Sequence, residues 1–218
     1  MEAWYSIYLI YFIIFWKKLF KLTWIIKVWN KTRPFCFERT QNEKKGFFVE
    51  FGATDGISNS NTYLLEKEFN YTGILAEPNP KQRKNIRQIR NAIIVDKCVW
   101  SKSNVKLELF DNGDLSTIKK SNKTNRLKST FKVDTISLTD MLDIHNAPSL
   151  IDYLSIDTEG SEFEILSTHN FGKYNFSVIT VEHNFSENRD KIYELLIKNR
   201  YKRVYENLSA QDDWYTFV

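Results

Sequence analysis

From residue 46 onward, short apolar runs alternate with segments of helical periodicity, at the spacing of β-α-β units. Phe47–Phe51, Thr72–Ala76, Ala92–Val99, Val133–Leu138, Ile151–Ile156 and Ser177–Val181 are predicted strands. Tyr201–Glu206 and Asp213–Val218 close the chain as a strand pair suited to a hairpin. Helices are expected between them. The first is capped at Ser58 or Asn59, with Tyr63, Leu64, Leu65 and Phe69 inward, and the second follows Pro78-Asn79-Pro80. Thr139 caps a helical turn, and Ser161 with Glu164 forms a capping box for a helix through Leu166. The last helix covers Glu187–Arg200, with Ile192, Leu195 and Leu196 inward. Between Asp111 and Lys132 the chain is rich in Ser, Thr, Asn and Lys and has little periodicity, which predicts a mobile loop able to close over substrate.

Residues 1–45 follow another pattern. Ala3–Trp16 is almost wholly apolar and, as a helix, spans about 21 Å, short of the roughly 30 Å of a hydrocarbon core. Beyond Lys17 and Lys18, apolar residues alternate with Lys21 and Lys27, and the Trp, Tyr and Lys residues suit a membrane interface. Positive charge before the apolar run, as in a secretory signal peptide, is missing. Two readings stay open: attachment to a membrane, spanning it or lying in its surface, or a helix packed on the domain itself. A spanning segment with this basic flank keeps the following domain in the cytoplasm. The other reading makes the protein soluble and cytoplasmic.

The charge of the chain belongs mostly to that segment. Of a net +4 over 218 residues, residues 1–45 contribute +6 and the remainder −2, so the basic balance does not indicate a nucleic-acid-binding domain. Lys81, Arg83, Lys84, Arg87 and Arg90 read as a solvated helix face. Cys36 and Cys98 match neither a metal-ligand spacing nor a disulfide framework, which points to a reducing compartment.

The chemistry concentrates after the first strand, in Glu50-Phe51-Gly52-Ala53-Thr54-Asp55-Gly56. A strand, a glycine turn and a helix start are how α/β proteins receive a nucleotide-like cofactor. The spacing is neither G-x-G-x-x-G nor a P-loop. Glu50 ahead of the turn argues against phosphate and suits a cationic ligand such as a sulfonium or ammonium. Glu77 ends the second strand, where a carboxylate can accept both ribose hydroxyls of an adenosine. Glu50, Gly52, Glu77, Asp157, Glu159, Glu182 and His183 all fall at the carboxyl ends of strands. Five carboxylates on one rim require a cation, a metal or hydrogen-bond donors.

Glu50–Gly56, Glu77-Pro-Asn-Pro80 and Ile156-Asp-Thr-Glu-Gly-Ser-Glu-Phe-Glu-Ile-Leu166 resemble the FkbM-type S-adenosylmethionine-dependent methyltransferases, in the family's order, over residues 46–218. The resemblance implies a class I, Rossmann-like α/β three-layer sandwich, its seven-stranded sheet mostly parallel with an antiparallel last strand. It implies S-adenosylmethionine as cofactor, with Glu50, Gly52 and Gly56 at its methionine end, Ala53 and Asp55 as further cofactor-binding residues, Glu77 at the ribose, and Cys98 or Val99 at the adenine edge. Asp157 and Glu159 match the acidic motif facing the transferred methyl. Ser155 stands where many members carry lysine.

These readings predict an O-methyltransferase whose candidate bases are Asp157, Glu159 and His183. Mg²⁺ bridging Asp157 and Glu159 is compatible with the residues but not fixed by their spacing. The expected acceptor is a hydroxyl on a sugar, a glycan or a related small molecule, met near a membrane. The alternative is a non-catalytic membrane-attached binding or trafficking module that retains the fold, as Star-type membrane proteins are usually read.

Overall fold

The computed structural model of the protein describes residues 46–111, 116–118, 129–206 and 211–218. The expected anchor and linker over 1–45 lie outside the described residues. Among those described, no helix is long and apolar enough to cross a membrane.

Strand β1 (Phe47–Phe51) is buried from Phe48 onward and β2 (Thr72–Ala76) from Gly73 onward. A strand covered on both faces must read as a continuous apolar run, which is why both have the bounds that the pattern predicts. Helix α1 (Tyr63–Phe69) joins them, and α2 (Pro80–Ile89) leads to β3 (Ile93–Val95). Asn79 caps α2 by accepting a hydrogen bond from the Lys81 N–H, and Pro80 occupies a first-turn position where no donor is needed.

β4 (Cys98–Trp100), β5 (Lys106–Asp111) and β6 (Ser129–Ser137) form a separate sheet in the order β4-β6-β5. α3 (Leu138–Ile144), β7 (Leu150–Ile156), α4 (Glu162–Ser167), β8 (Asn175–Glu182), α5 (Asn188–Lys198), β9 (Tyr201–Arg203) and β10 (Asp212–Phe217) complete the chain. The main sheet has seven strands in the order β3-β2-β1-β7-β8-β10-β9. All its pairings are parallel except those of β10, which runs antiparallel to both β8 and β9.

The strand order reverses at β1. The chain steps outward through β2 and β3 and returns on the other side with β7 and β8. Right-handed crossovers then place helices on both faces, giving three layers. Val49, Phe51, Leu154, Ile156, Ile179 and Val181 from the central strands share a core cluster with Ile165 of α4 and Ile192 and Leu196 of α5.

Four expectations change. Ser137, not Thr139, caps α3, accepting from the Asp140 N–H at 3.1 Å. The strand predicted over Ala92–Val99 breaks at Asp96–Lys97, and its two halves join different sheets. Arg83 holds that corner: its guanidinium donates to the carbonyls of Pro78 (2.6 Å), Glu77 (3.2 Å) and Asp96 (3.3 Å). α1 begins at Tyr63 rather than after Ser58 or Asn59, because a buried carboxylate holds residues 60–62 out of the helix. The Ser161/Glu164 capping box does not form. Ser161 donates instead to Thr158 Oγ1 at 2.8 Å.

Candidate functional site

The reversal between β1 and β7 opens a crevice beyond their carboxyl ends, where open α/β sheets receive ligands. A cleft lies there. Its lining includes Phe51 and Gly52 after β1, Glu77 after β2, Cys98 and Val99 of β4, and Asp157 and Glu159 after β7. The fold therefore gathers six of the predicted site residues: Gly52, Glu77, Cys98, Val99, Asp157 and Glu159. Glu50, Ala53, Asp55, Gly56 and His183 are not among its lining residues.

Gly52 has φ +84°, and a Cβ there would collide with the backbone carbonyl of Asp157. The first loop and the end of β7 are this close only because no side chain intervenes. Ala53, fully buried, accepts a hydrogen bond from the Gly56 N–H at 2.8 Å, and Gly56 turns at φ +78°. Asp55 Oδ1 accepts from the N–H groups of Ile57 (2.9 Å) and Ser58 (2.6 Å). These three residues shape the loop from within. Thr54, also left-handed at φ 48°, does line the cleft, and its buried Oγ1 has no hydrogen-bond partner among the described residues.

Glu50 turns its carboxylate into the protein. It is 1% exposed, and its carboxylate accepts from Ser60 Oγ (2.7 Å), the Asn61 N–H (2.5 Å) and Thr62 Oγ1 (2.5 Å). Burial pushes its pKa up, with Arg90 and these donors opposing. The Arg90 guanidinium, fully buried, donates to Glu66 Oε2 (2.9 Å), the Gly56 carbonyl (3.0 Å), Ser60 Oγ (2.8 Å) and Thr62 Oγ1 (2.9 Å). Burial also disfavours the Glu66 carboxylate, but the Asn91 N–H and Arg90 outweigh it and hold its pKa below the ordinary value. Asn61 extends the network to β7, its amide donating to Ser155 Oγ at 2.8 Å.

The glycine loop is thus fastened from behind by the protein's own charges. Arg90→Met is expected to lower stability by about 3–5 kcal/mol, because it strands buried carboxylates and a carbonyl. Urea denaturation of the variant against wild type measures this, and a loss under about 1 kcal/mol contradicts the network's role.

Glu77 is buried, and its Oε1 accepts from the Asn79 N–H at 2.8 Å. Burial raises its pKa to about 7, opposed by the Asn79 N–H and Arg83 and reinforced by Asp111. Burial, with Glu77 second, pushes the Cys98 thiol up to about 12, so at neutral pH it is an apolar wall group rather than a nucleophile. Leu109 of β5 and Ser116, Thr117 and Ile118 continue that wall. Thr117 Oγ1 donates to the Glu159 carbonyl at 3.1 Å. Of the predicted mobile loop, 112–115 and 119–128 lie outside the described residues, whereas 116–118 are part of the cleft.

At the ends of β7 and β8, Asp157, Glu159 and Glu182 each offer a carboxylate oxygen, and all three atoms lie within 4.8 Å of one another. The turn carrying the first two is set by buried Glu162, whose Oε1 accepts from the N–H groups of Thr158 (3.0 Å) and Gly160 (2.9 Å). His183 lies apart, 3% exposed, with Nε2 3.8 Å from Asp213 Oδ1 and Nδ1 accepting from the Phe185 N–H at 3.0 Å. Its surroundings are those of a structural hydrogen-bonder rather than of a base facing the cleft.

A seven-stranded sheet of this order, with its ligand crevice at the β1/β7 reversal, defines a class I Rossmann-like methyltransferase fold. The chain belongs to the S-adenosylmethionine-dependent FkbM family, since the family model described as "Methyltransferase FkbM domain" matches residues 50–213. No curated protein matches the sequence. Among solved structures, it is similar to methyltransferase FkbM from Methylobacillus flagellatus KT at 13% identity, over 79% of this chain and 44% of that one, with a TM-score of 0.49. It is also similar to the N-terminal domain of human METTL16 in complex with SAH, at 10% identity over 92% and 71% of the two chains, TM-score 0.49. A third is precorrin-6y C5,15-methyltransferase from Geobacter metallireducens GS-15, at 12% identity over 85% of each chain, TM-score 0.43.

Proposed function

We propose that this protein transfers the methyl group of S-adenosylmethionine to a hydroxyl of a sugar, a glycan or a related small molecule. One observation carries the reading: Gly52, Glu77, Asp157 and Glu159, from the ends of three neighbouring strands, line a single cleft. The residues fit the cofactor. Gly52 lines the cleft without a side chain, Thr54 Oγ1 is an unused polar atom on the same loop, and Glu77 is a buried acceptor for ribose hydroxyls.

Bound S-adenosylmethionine supplies an electrophilic methyl on a sulfonium. The chain's part is to hold the acceptor in line with it and to receive a proton. As the acceptor oxygen takes the methyl, Asp157 or Glu159 would receive the hydroxyl proton and pass it to water, and the cofactor would keep the electron pair of the broken carbon–sulfur bond. A divalent cation among Asp157, Glu159 and Glu182 would relieve their mutual repulsion and orient the hydroxyl. In this reading the apolar and basic N-terminal segment attaches the enzyme to the cytoplasmic face of a membrane that carries the acceptor.

Calorimetric titration with S-adenosylhomocysteine tests the reading directly, and a wild-type protein that does not bind it defeats the proposal. Transfer of labelled methyl to glycosides, with and without a chelator, then tests the hydroxyl acceptor and the cation separately.

The raised Glu77 pKa adds a pH signature. Ribose hydroxyls donate best to the anionic carboxylate, so affinity for S-adenosylhomocysteine is expected to rise up to about pH 7 and level off above it, with proton release below. Glu77→Gln is expected to flatten that profile. Stability runs the other way. The folded protein holds a proton that an unfolded chain, at the ordinary 4.5, has already lost, so this contribution is full below 4.5 and lost as pH rises through about 7.

A further inference from the structure

The turn after β8 lies beside the cleft and carries an unusual residue. The Ser186 N–H donates to the His183 carbonyl at 2.7 Å, and both central residues are left-handed, Asn184 at φ 44° and Phe185 at φ 55°. Asparagine adopts that conformation readily. At the second central position of such a turn glycine is the ordinary choice, and a bulky side chain is an outlier. Burial of the ring does not explain it, because Phe185 is 71% exposed, the largest exposure among the large hydrophobic residues described.

The conformation is nevertheless enforced. The buried His183 ring stands edge-on to Phe185, 5.2 Å between centroids at 78°, and its Nδ1 accepts from the Phe185 N–H. That bond requires a lone pair on Nδ1, and hence the neutral imidazole with its proton on Nε2, toward Asp213. Burial lowers the imidazole's pKa; Asp213 opposes this, while Arg189 and Arg203 favour it. Both arginines also hold Asp213, Arg189 with two bonds of 2.8 Å and Arg203 with one of 3.5 Å. Asn184 ties the turn to the cleft floor, its Nδ2 donating to Glu159 Oε2 at 3.3 Å.

An exposed aromatic side chain one residue from Asn184, which bonds Glu159 at the cleft, beside carboxylates able to accept from hydroxyls, matches a ligand with an apolar ring face and polar edges. The acidic floor disfavours an anionic ring. We propose that Phe185 is the acceptor-recognition residue, stacking on a neutral pyranose whose hydroxyls meet Asp157 and Glu159. His183 is the positioning residue that holds Phe185 out. This assignment rests on the methyl-transfer reading of the cleft.

The test uses the full chain saturated with S-adenosylhomocysteine and titrated by NMR with methyl glycosides of neutral hexopyranoses, with sorbitol as a control that has no ring. Wild type is expected to bind at least one pyranoside in preference to sorbitol. Phe185→Ala is expected to weaken it by roughly fivefold or more, and Phe185→Trp to retain it, while calorimetric affinity for S-adenosylhomocysteine stays the same. His183→Leu is expected to weaken the glycoside alone. His183→Gln, which keeps an acceptor for the Phe185 N–H, is expected to restore it. Equal glycoside affinity in wild type and Phe185→Ala overturns the assignment, as does a wild type that binds S-adenosylhomocysteine but no pyranoside. Failure to bind S-adenosylhomocysteine overturns the methyl-transfer reading beneath it.

Discussion

Glu77→Ala is expected to weaken S-adenosylhomocysteine binding by roughly 10- to 150-fold, the loss of about 1.5–3 kcal/mol for hydrogen bonds to a charged acceptor. The carboxylate is placed for it: it ends β2, is 7% exposed, and has one oxygen fixed by the Asn79 N–H. Calorimetry on wild type, Glu77→Gln and Glu77→Ala separates charge from shape, since the glutamine keeps an oxygen for Asn79. An alanine variant that binds as tightly as wild type removes Glu77 from the site.

Asp157→Asn should give the opposite division. Its backbone supports the cofactor loop, through the Asp157 N–H to the Phe51 carbonyl at 3.3 Å and the close approach to Gly52, and substitution leaves that intact. Affinity for S-adenosylhomocysteine is therefore expected to stay within a few-fold, while single-turnover methyl transfer falls by roughly 10²-fold or more. If transfer by the variant matches wild type, the proton goes elsewhere, and Glu159 is the next group on the same turn. Wild-type transfer that is insensitive to a chelator excludes a required exchangeable cation among the three carboxylates.

What was legible in the sequence follows from the range of the forces involved. β1 and β2 are buried on both faces, so their apolar runs state their bounds. The site residues at strand ends were legible because the reversal of a parallel sheet brings such ends together whatever the loops do. β5 was missed although Val105, Leu107 and Leu109 alternate with Lys106 and Glu108, a period-two signal next to a polar loop. The division of β3 from β4 left no such signal, since an Arg83 clamp three carbonyls wide makes the corner. The burial of Glu50 was not legible for a similar reason. An acid before a glycine turn suits a cationic ligand equally well, and the partners the structure gives it stand at Ser60, Asn61 and Thr62, with Arg90 behind them. His183 and Phe185 form a pair only through a left-handed turn, and neither periodicity nor composition announces one at a phenylalanine.

The buried setting of Glu50 changes what its motif reports about ancestry. An acid that folds the loop is retained by a chain for as long as that chain folds, whether or not anything is ever methylated. A descendant that had drifted into pure binding would still carry Glu50, Gly52, Gly56 and Arg90, and would look intact to anyone scanning its first loop. On the proposed reading, loss of catalysis would be written instead at Glu77 and Asp157, which line the cleft. Those two positions, rather than the first loop, would then separate an active enzyme from a silent cousin.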